Sequence, residues 1–331
     1  METKSITVAG AGILGLWQAL TLAKAGHKVR LVEASAEPFS QAASRWAGAM
    51  LAPDCEAESA PAVVRDLGRE AIALWRTVYP GIVENGTLVV ASARDQSELQ
   101  RFARATVQHR TVDEFSIADL EPSLGGRFQS GLFFAAEAHF NALAALGYLL
   151  EEGKRAGVVV TLGHKWLKAH DGLTIDCRGF SARDNFKDLR GVRGERLVVR
   201  STEVALRRPV RLLHPRQPIY VVPQGDGRFV VGATVVERED DGPMTVRSAL
   251  ELLGSAYALH PAFAEAEVLD MGAGVRPAFP DNVPRIEIAG DGRLIRVNGA
   301  YRHGFLLAPV LAKAVAQFVA TGARQHPLIG A

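Results

Sequence analysis

The chain has 331 residues, 48% of them hydrophobic, and a net charge of +2 from interspersed charges, which leaves no electrostatic footprint for nucleic acid or an anionic membrane. Its length can bury two cores, no apolar run approaches the roughly 20 residues that span a bilayer, and we expect no signal peptide because the first residues lead directly into a predicted strand. The two cysteines, Cys55 and Cys177, are most simply free thiols, so we expect a cytoplasmic protein.

The first predicted elements are a strand, a glycine motif, a helix and a second strand. Ser5–Ala9 is a short run rich in β-branched residues, typical of a buried parallel strand. The sequence Gly-Ala-Gly-Ile-Leu-Gly follows at residues 10–15 and opens a helix over residues 13–25. Lys28–Val32 predicts a second strand that ends in Glu33. A chance cluster of glycines would not come with both strands, the helix and the acid, so we predict a dinucleotide site.

Each residue of the glycine motif has its own predicted role. Gly10 makes the tight turn, Gly12 lets the backbone approach a phosphate, and Gly15 lets the helix and strand pack closely. The free N–H groups at the start of the helix, including those of Ile13 and Leu14, and its partial positive charge then face the pyrophosphate.

The middle of the chain departs from regular strand–helix–strand units. The polar segment 35–60 is too long for a simple turn, and long structured loops in compact domains are often functional. Helices are predicted over residues 61–78, over residues 95–104 and from an Asn141 cap to residue 155. Strands are predicted over residues 86–91, 158–161 and 173–176.

From residue 195 the predicted strands come in quick succession, separated by Pro, Gly and Asp turns. They cover residues 195–199, 203–206, 219–222 and 228–232 and predict an antiparallel meander. A helix with Thr245 as its N-cap is predicted over Val246–Leu259. A last strand over residues 294–297 leads through a glycine-marked loop into a terminal helix that ends near residue 321.

These elements predict an α/β and α+β fold of two interleaved domains. The first is a doubly wound, Rossmann-like nucleotide-binding domain over residues 1–80, 135–190 and 265–331. The second is a substrate-binding domain with a mixed, largely antiparallel sheet over residues 81–134 and 191–264.

Glu33 and the C-terminal loop together indicate which class of dinucleotide cofactor, flavin or nicotinamide, the chain binds. An acid about 20 residues after the glycine motif accepts hydrogen bonds from ribose hydroxyls and disfavours a 2′-phosphate, which argues against NADP. The second glycine-marked segment, Ala-Tyr-Arg-His-Gly-Phe-Leu-Leu-Ala-Pro at residues 300–309, enters a helix almost a whole chain away. A fold that brings both segments to one nucleotide is typical of flavoproteins and not of simple nicotinamide dehydrogenases.

The chain resembles the D-amino-acid oxidase superfamily of FAD enzymes, and within it the glycine oxidases of thiamine biosynthesis (ThiO). Six segments match in family order, across essentially the whole chain: residues 10–15 with Glu33, 47–53, 219–223, 231–234, 274–277 and 302–309. The chain departs from the family at residues 176–179, where Asp-Cys-Arg-Gly stands in place of an Asn/Ala-Ala-Gly segment. The resemblance implies noncovalently bound FAD, with Gly48 of the second segment among the residues that bind it.

The resemblance also implies a substrate site. A guanidinium suits a substrate carboxylate because its planar fork gives two parallel charge-assisted hydrogen bonds, and Arg276 matches the family position for this clamp. Tyr220 matches the tyrosine that shares the carboxylate, the backbone carbonyl of Arg302 matches the acceptor for the substrate amine, and Met50 matches a neighbour of the substrate. Taken singly, an arginine in a turn, a strand tyrosine and a core methionine also have purely structural explanations.

The start of the terminal helix has a predicted electronic role. The N–H groups of Gly304, Phe305 and Leu306 can face the flavin pyrimidine ring, where a helix N-terminus stabilises the negative charge of the reduced cofactor. His303 is not taken as a base, because the family chemistry needs none once the amine binds neutral. The histidines have no ligand spacing, so we expect no metal site.

The predicted reaction is FAD-dependent oxidation of glycine to an imine, then to glyoxylate and ammonia, while O2 becomes H2O2. Sarcosine and small D-amino acids are slower alternatives, and hand-off of the imine to thiazole synthase and homo-oligomers are implied by analogy. Three other functions stay open: an amine or imino-acid dehydrogenase with a non-oxygen acceptor, an NAD-dependent dehydrogenase, and a non-catalytic flavin-binding protein.

Overall fold

A computed structural model describes residues 2–166, 172–289 and 292–330 of the chain. Its helices are α1 (Ile13–Lys24), α2 (Pro53–Glu56), α3 (Ala62–Val78), α4 (Gln96–Ala105), α5 (Glu114–Leu120), α6 (Ala142–Arg155), α7 (Val246–Leu259) and α8 (Gly304–Thr321). Its strands are β1 (Ser5–Ala9), β2 (Lys28–Val32), β3 (Met50–Leu51), β4 (Thr87–Ala91), β5 (Arg110–Asp113), β6 (Ser130–Phe134), β7 (Ala138–His139), β8 (Val159–Thr161), β9 (Leu173–Asp176), β10 (Arg190–Arg200), β11 (Val210–Leu213), β12 (Ile219–Pro223), β13 (Arg228–Gly232), β14 (Glu267–Ala278), β15 (Arg285–Ala289) and β16 (Leu294–Asn298).

The first sheet is the predicted nucleotide-binding sheet. Its order is β15-β16-β9-β1-β2-β8, and all neighbouring strands are parallel except β15 with β16. Val8 on β1 pairs with Leu31 on one side and Ile175 on the other, so the first strand lies inside the sheet. The helices α1 and α6 pack together, and α8 packs on both α1 and α3. Both termini of the chain therefore contribute to one core.

The second sheet is mixed and largely antiparallel, as predicted. Its order is β14-β10-β13-β12-β11-β4-β6-β5, and only β11 and β4 pair in parallel. The strand β14 lies in this sheet, although the sequence-based division assigns residue 265 onwards to the nucleotide-binding domain. A separate short pair joins β3, which lies in the long segment after Glu33, to β7.

Most of the predicted helices and strands are confirmed, and the prediction of one strand is wrong. The caps Asn141 and Thr245 accept the predicted hydrogen bonds from backbone N–H groups at the start of α6 and α7. Residues 203–206 form a loop, because the following N–H groups of Arg207 and Arg208 donate to the Glu121 carboxylate instead of to a neighbouring strand. The sequence did not predict the helices α2 and α5 or the strands β3, β5, β6, β7, β11, β14 and β15.

The helix α8 corrects the expectation that no apolar segment of the chain is long enough to span a bilayer. By length and composition it alone among the described helices could cross a membrane, with a mean hydropathy of 1.6. However, 61% of it is buried inside the fold, where it packs against α1 and α3. Its apolar character is therefore explained by its position in the core.

Candidate active site

One cavity brings together the two glycine-marked segments. Its volume is about 730 Å³, which lies within the range of about 300–1,000 Å³ typical of ligand sites. The predicted site residues that line it are Gly10, Gly12, Ile13, Leu14, Glu33, Gly48, Met50, Tyr220, Arg276, Arg302, Gly304, Phe305 and Leu306. Of the predicted set only Gly15 does not line the cavity. The fold therefore gathers residues from both ends of the chain at one site.

The first glycines leave the backbone open at one end of the cavity. Gly10 has φ +94°, and a Cβ there would lie 2.6 Å from the Cys177 carbonyl oxygen, so only glycine fits. A Cβ on Gly12 would meet nothing nearer than Ser44 Oγ at 3.6 Å, an ordinary contact. Packing within the protein therefore does not require glycine at position 12, whereas close approach of a phosphate would.

Gly15 and Glu33 hold this end in shape. A Cβ on Gly15 would lie 1.8 Å from the Gly10 carbonyl oxygen, which agrees with its predicted role in close packing. Glu33 Oε2 accepts a hydrogen bond from the Ala11 N–H at 2.7 Å, and Glu33 Oε1 accepts one from the Ser35 N–H at 3.0 Å. The carboxylate thus ties the glycine loop to the end of β2 while it faces the cavity.

Two helix N-termini end at the cavity without a side-chain cap. The N-cap residues are Gly12 for α1 and His303 for α8, and neither caps its helix through a side chain. In α1 the Ile13 N–H already donates to Ser44 Oγ at 3.1 Å. An uncapped helix N-terminus presents N–H donors and partial positive charge, which suit anionic groups.

The start of α8 is anchored in the core. Trp75 Nε1–H donates to the Phe305 carbonyl oxygen at 2.7 Å, and the Phe305 and Leu306 side chains are buried. A Cβ on Gly304 would lie 3.3 Å from the Ile13 side chain, so the two helix starts lie against each other. The N-terminus of α8 is therefore held rigidly beside that of α1.

Arg276 presents a cation that has no carboxylate partner within the described part of the chain. It lies on β14, and its guanidinium crosses Gly194 on β10, where a Cβ would lie 1.9 Å from Nη2. Its Nη1 donates to the Thr234 carbonyl oxygen at 3.3 Å, and it forms no ion pair with a carboxylate among the described residues. Burial lowers the pKa of Arg276 from its ordinary value. A half-buried, unpaired guanidinium that faces a cavity suits an anionic ligand.

Tyr220 is wedged beside this cation. A Cβ on Gly48 would lie 2.7 Å from its ring, and a Cβ on Gly232 would lie 2.6 Å from its hydroxyl oxygen. The ring is therefore held between two backbone segments and has little freedom to turn. Met50 on β3 also lines the cavity and is half-buried.

Arg302 belongs to a charged network centred on Glu56. Glu56 Oε1 accepts hydrogen bonds from Arg211 Nη2 at 2.6 Å and from Arg302 Nη2 at 3.3 Å, and Glu56 Oε2 lies 3.6 Å from His303 Nδ1. Burial alone would raise the pKa of Glu56, but the charges of Arg302 and Arg211 outweigh it and lower this pKa to about 2. Burial lowers the pKa of His303 to about 4, so its imidazole is neutral at pH 7.

Sequence reasoning missed Glu56, Arg211 and Trp46, all of which line the cavity. Arg211 had a signal, because it is a charged residue inside the buried apolar strand β11. Trp46 lies against β14 at Gly272 and Gly274, where a Cβ would come within 2.2 Å and 2.9 Å of its ring. These glycines leave room for the indole against the sheet.

The hydrogen-bonding groups that line the cavity fit a dinucleotide, whose pyrophosphate carries negative charge. An open glycine backbone, an acid at the end of β2 and two uncapped helix N-termini share one cavity. Among the residues that the structure describes, no group of three or more His, Cys, Asp or Glu side chains could hold a metal ion.

The chain is similar in sequence to proteins named ThiO or glycine oxidase. A proposed thiamine biosynthesis oxidoreductase, ThiO, of Rhizobium etli is 51% identical, with 96% of each chain covered. The glycine oxidase of Pseudomonas aeruginosa is 26% identical, with 96% of this chain and 95% of that protein covered. The bifunctional protein ThiO/ThiG of a Synechocystis species is 27% identical, and this chain spans about half of its length (52%).

Structural comparison agrees on the fold. The glycine oxidase of Bacillus cereus superimposes with a TM-score of 0.84 at 21% identity, covering 98% of this chain and 99% of that one. The family model described as FAD dependent oxidoreductase (DAO) matches residues 5–318. The chain therefore belongs to the DAO family of FAD-dependent oxidoreductases.

Proposed function

We propose that this protein oxidises glycine in thiamine biosynthesis: glycine, O2 and water become glyoxylate, ammonia and H2O2. The observation that carries the proposal is Arg276, a half-buried guanidinium beside Tyr220 that has no carboxylate partner among the described residues and lies in the same cavity as both helix N-termini. The names of the Rhizobium etli and Pseudomonas aeruginosa relatives support both the reaction and its context.

Arg276 and Tyr220 would bind the substrate carboxylate. The half-buried guanidinium has already lost part of its hydration, which lowers the desolvation cost of binding, and a carboxylate would supply the missing counter-charge. The fixed ring of Tyr220 would add its hydroxyl as one more donor. Because the interaction partners are held before the substrate arrives, much of the rate would come from orientation and charge placement.

The amine of the substrate would lie toward the backbone carbonyl of Arg302. Glu56 holds the Arg302 side chain, so that the loop before α8 keeps this carbonyl in place. Met50 would cover the small substrate from the side of β3. Sarcosine and small D-amino acids carry the same carboxylate and amine, and we expect them to react more slowly.

The side chains near the amine suit a substrate that binds with a neutral amine. The pKa of His303 is about 4 and that of Glu56 is about 2, so at neutral pH the imidazole is uncharged and the carboxylate is already paired with two arginines. Neither group is matched to neutral pH as a general base.

FAD, when bound, would supply the acceptor for a hydride from the substrate Cα and the route by which the two electrons reach O2. Gly10, Gly12 and the first turn of α1 would hold its pyrophosphate, and Glu33 its ribose. Gly304, Phe305 and Leu306 would hold the isoalloxazine end, where the positive end of α8 stabilises negative charge.

Two features of the setting belong to the same proposal. The relatives that join ThiO to ThiG in one chain support hand-off of the imine to thiazole synthase before water reaches it. We also propose a cytoplasmic location, since both cysteines are buried free thiols.

An amine or imino-acid dehydrogenase with another electron acceptor is the second candidate. It needs the same cavity and the same carboxylate clamp, so the acceptor alone distinguishes it. Oxygen uptake and peroxide release should be measured with glycine, sarcosine, D-alanine and L-proline. We expect the highest kcat/KM with glycine, coupled to peroxide. Turnover with an artificial acceptor but without oxygen uptake would favour the dehydrogenase, and no turnover of any amine by the flavin-loaded protein would contradict both.

A further inference from the structure

An arginine and a tryptophan line the same cavity but belong neither to the glycine motif nor to the predicted substrate residues. The Arg178 guanidinium carbon lies 4.6 Å from the centroid of the Trp166 ring, and both side chains line the cavity. Arg178 belongs to the Asp-Cys-Arg-Gly segment that departs from the family pattern. The reaction proposed above uses neither residue.

Backbone contacts place this pair beside the predicted nucleotide site, next to Glu33 and Gly10. The His164 N–H donates to the Glu33 carbonyl oxygen at 2.9 Å, which holds the segment containing Trp166 beside Glu33. A Cβ on Gly10 would lie 3.0 Å from Arg178 Cα, so Arg178 adjoins the glycine loop. The pair therefore lies next to both the predicted ribose acceptor and the predicted phosphate cradle.

Asp176 fixes the arginine and neutralises it. Arg178 Nε and Nη2 donate to the two Asp176 carboxylate oxygens at 2.9 Å and 2.7 Å, and the Asp176 side chain is only 1% exposed. This bidentate pair holds the guanidinium plane in one orientation. Because its charge is already compensated, the guanidinium is suited to stacking on a neutral ring more than to binding a phosphate.

Trp166 adds an unused hydrogen-bond donor. Its Nε1 is buried and has no acceptor among the described residues, although buried indole N–H groups usually find one. A nitrogen heterocycle would supply both a stacking face and an acceptor nitrogen. The adenine base of FAD has both, and adjoins the ribose and pyrophosphate that Glu33 and Gly10 are predicted to bind.

We propose that Trp166 and Arg178 form the adenine-binding platform of the FAD site. The Arg178 guanidinium stacks on the base, and the indole N–H of Trp166, which lies in the plane of its ring, donates to a nitrogen of the base. Both side chains contribute affinity for the whole cofactor without touching the reacting atoms. Stacking of one base on such groups typically changes affinity by about 5- to 100-fold.

The test is release of FAD from the holoprotein. Arg178→Lys keeps the charge but removes the planar face, and Trp166→Leu removes the ring. Each holoprotein is prepared in excess FAD and serially diluted, and the fluorescence of released flavin gives the dissociation constant. We expect each variant to bind FAD about 5- to 100-fold more weakly, with the visible spectrum of bound flavin unchanged at saturating FAD.

The matched control is Arg324→Lys, because Arg324 also lies over an aromatic ring, that of Phe318 at 5.8 Å, but outside the cavity. It should retain wild-type FAD affinity. If Arg178→Lys does not fold because its ion pair with Asp176 is disturbed, the FAD affinity of Trp166→Leu decides the test, since Trp166 makes no ion pair. Wild-type FAD affinity in a folded Trp166→Leu variant would overturn the proposal. So would an altered spectrum of the bound flavin, which would assign the loss to the isoalloxazine end. None of these outcomes depends on the substrate being glycine.

Discussion

Gly194 allows a test of the carboxylate clamp that leaves Arg276 itself unchanged. A Cβ at position 194 would lie 1.9 Å from Arg276 Nη2 and 2.1 Å from its Cζ. Gly194 pairs with Gly274 across β10 and β14, so the backbone there is fixed by the ladder. In Gly194→Ala the guanidinium, as the end of a flexible side chain, must move while the sheet stays.

The size of the movement sets the expected effect. Ordinary contact begins near 3.4 Å, so the guanidinium must shift by about 1.5 Å. Misplacement of a positioning group by about 1 Å can cost about 100-fold in rate. We therefore expect kcat/KM for glycine to fall by about 100-fold in Gly194→Ala, measured by peroxide release. The content of bound FAD and the melting temperature should stay near wild type.

Gly254→Ala is the matched control, since nothing lies within 4 Å of a Cβ added at that position in α7. It should keep wild-type kcat/KM. Wild-type kcat/KM in Gly194→Ala would refute the assignment of Arg276 as the clamp, and so would an equal loss in both variants.

Three further predictions concern the cofactor and buried charges. Gly12→Ala should lower FAD affinity at least tenfold in a protein that folds normally, because its Cβ is tolerated by the chain but would meet a phosphate. Glu56→Gln should destabilise the protein by about 3–5 kcal/mol at pH 7, since Arg211 and Arg302 lose their shared partner. The pKa of Glu56 is depressed from 4.5 to about 2, so this difference should shrink as pH falls through that window. Glu137→Gln should show the opposite pH dependence of stability. Burial raises the pKa of Glu137 to about 7, so the folded wild type favours the protonated carboxyl. The wild type should therefore lose stability relative to the variant as pH rises from 4.5 through 7.

Flavin titration and urea unfolding at several pH values check these predictions. Unchanged FAD affinity in Gly12→Ala would contradict the assignment of the phosphate cradle. For the two carboxyl variants, parallel pH profiles of variant and wild type would contradict the perturbed pKa values.

The fold was most predictable where local signals suffice. The strand β1, the helix α1 and the strand β2 lie within one residue of their predicted bounds, because a glycine motif, apolar periodicity and a C-terminal glycine mark them. The strand β14 escaped prediction because it begins with exposed residues and contains Gly and Pro. Its pairing with β10 is a long-range contact that no local pattern encodes.

Local signals also identified several of the residues that line the cavity. Arg276, Tyr220 and Arg302 stand in recognisable segments, and the fold brings all three to one cavity. Glu56 and Arg211 are 155 residues apart, so nothing in either local sequence indicates their pairing. Their importance follows only from the tertiary structure, which buries them together.

Anaerobic reduction of the bound flavin by glycine tests the central claim most directly. Holoprotein and an Arg276→Ala variant with the same flavin content are mixed with glycine without oxygen, and the visible flavin absorbance is followed. We expect glycine to bleach the wild-type flavin fully and air to restore it, whereas the variant bleaches at least 100-fold more slowly, as expected for the loss of two charge-assisted hydrogen bonds. Flavin that glycine does not bleach, or equal bleaching rates in the two proteins, would contradict the account.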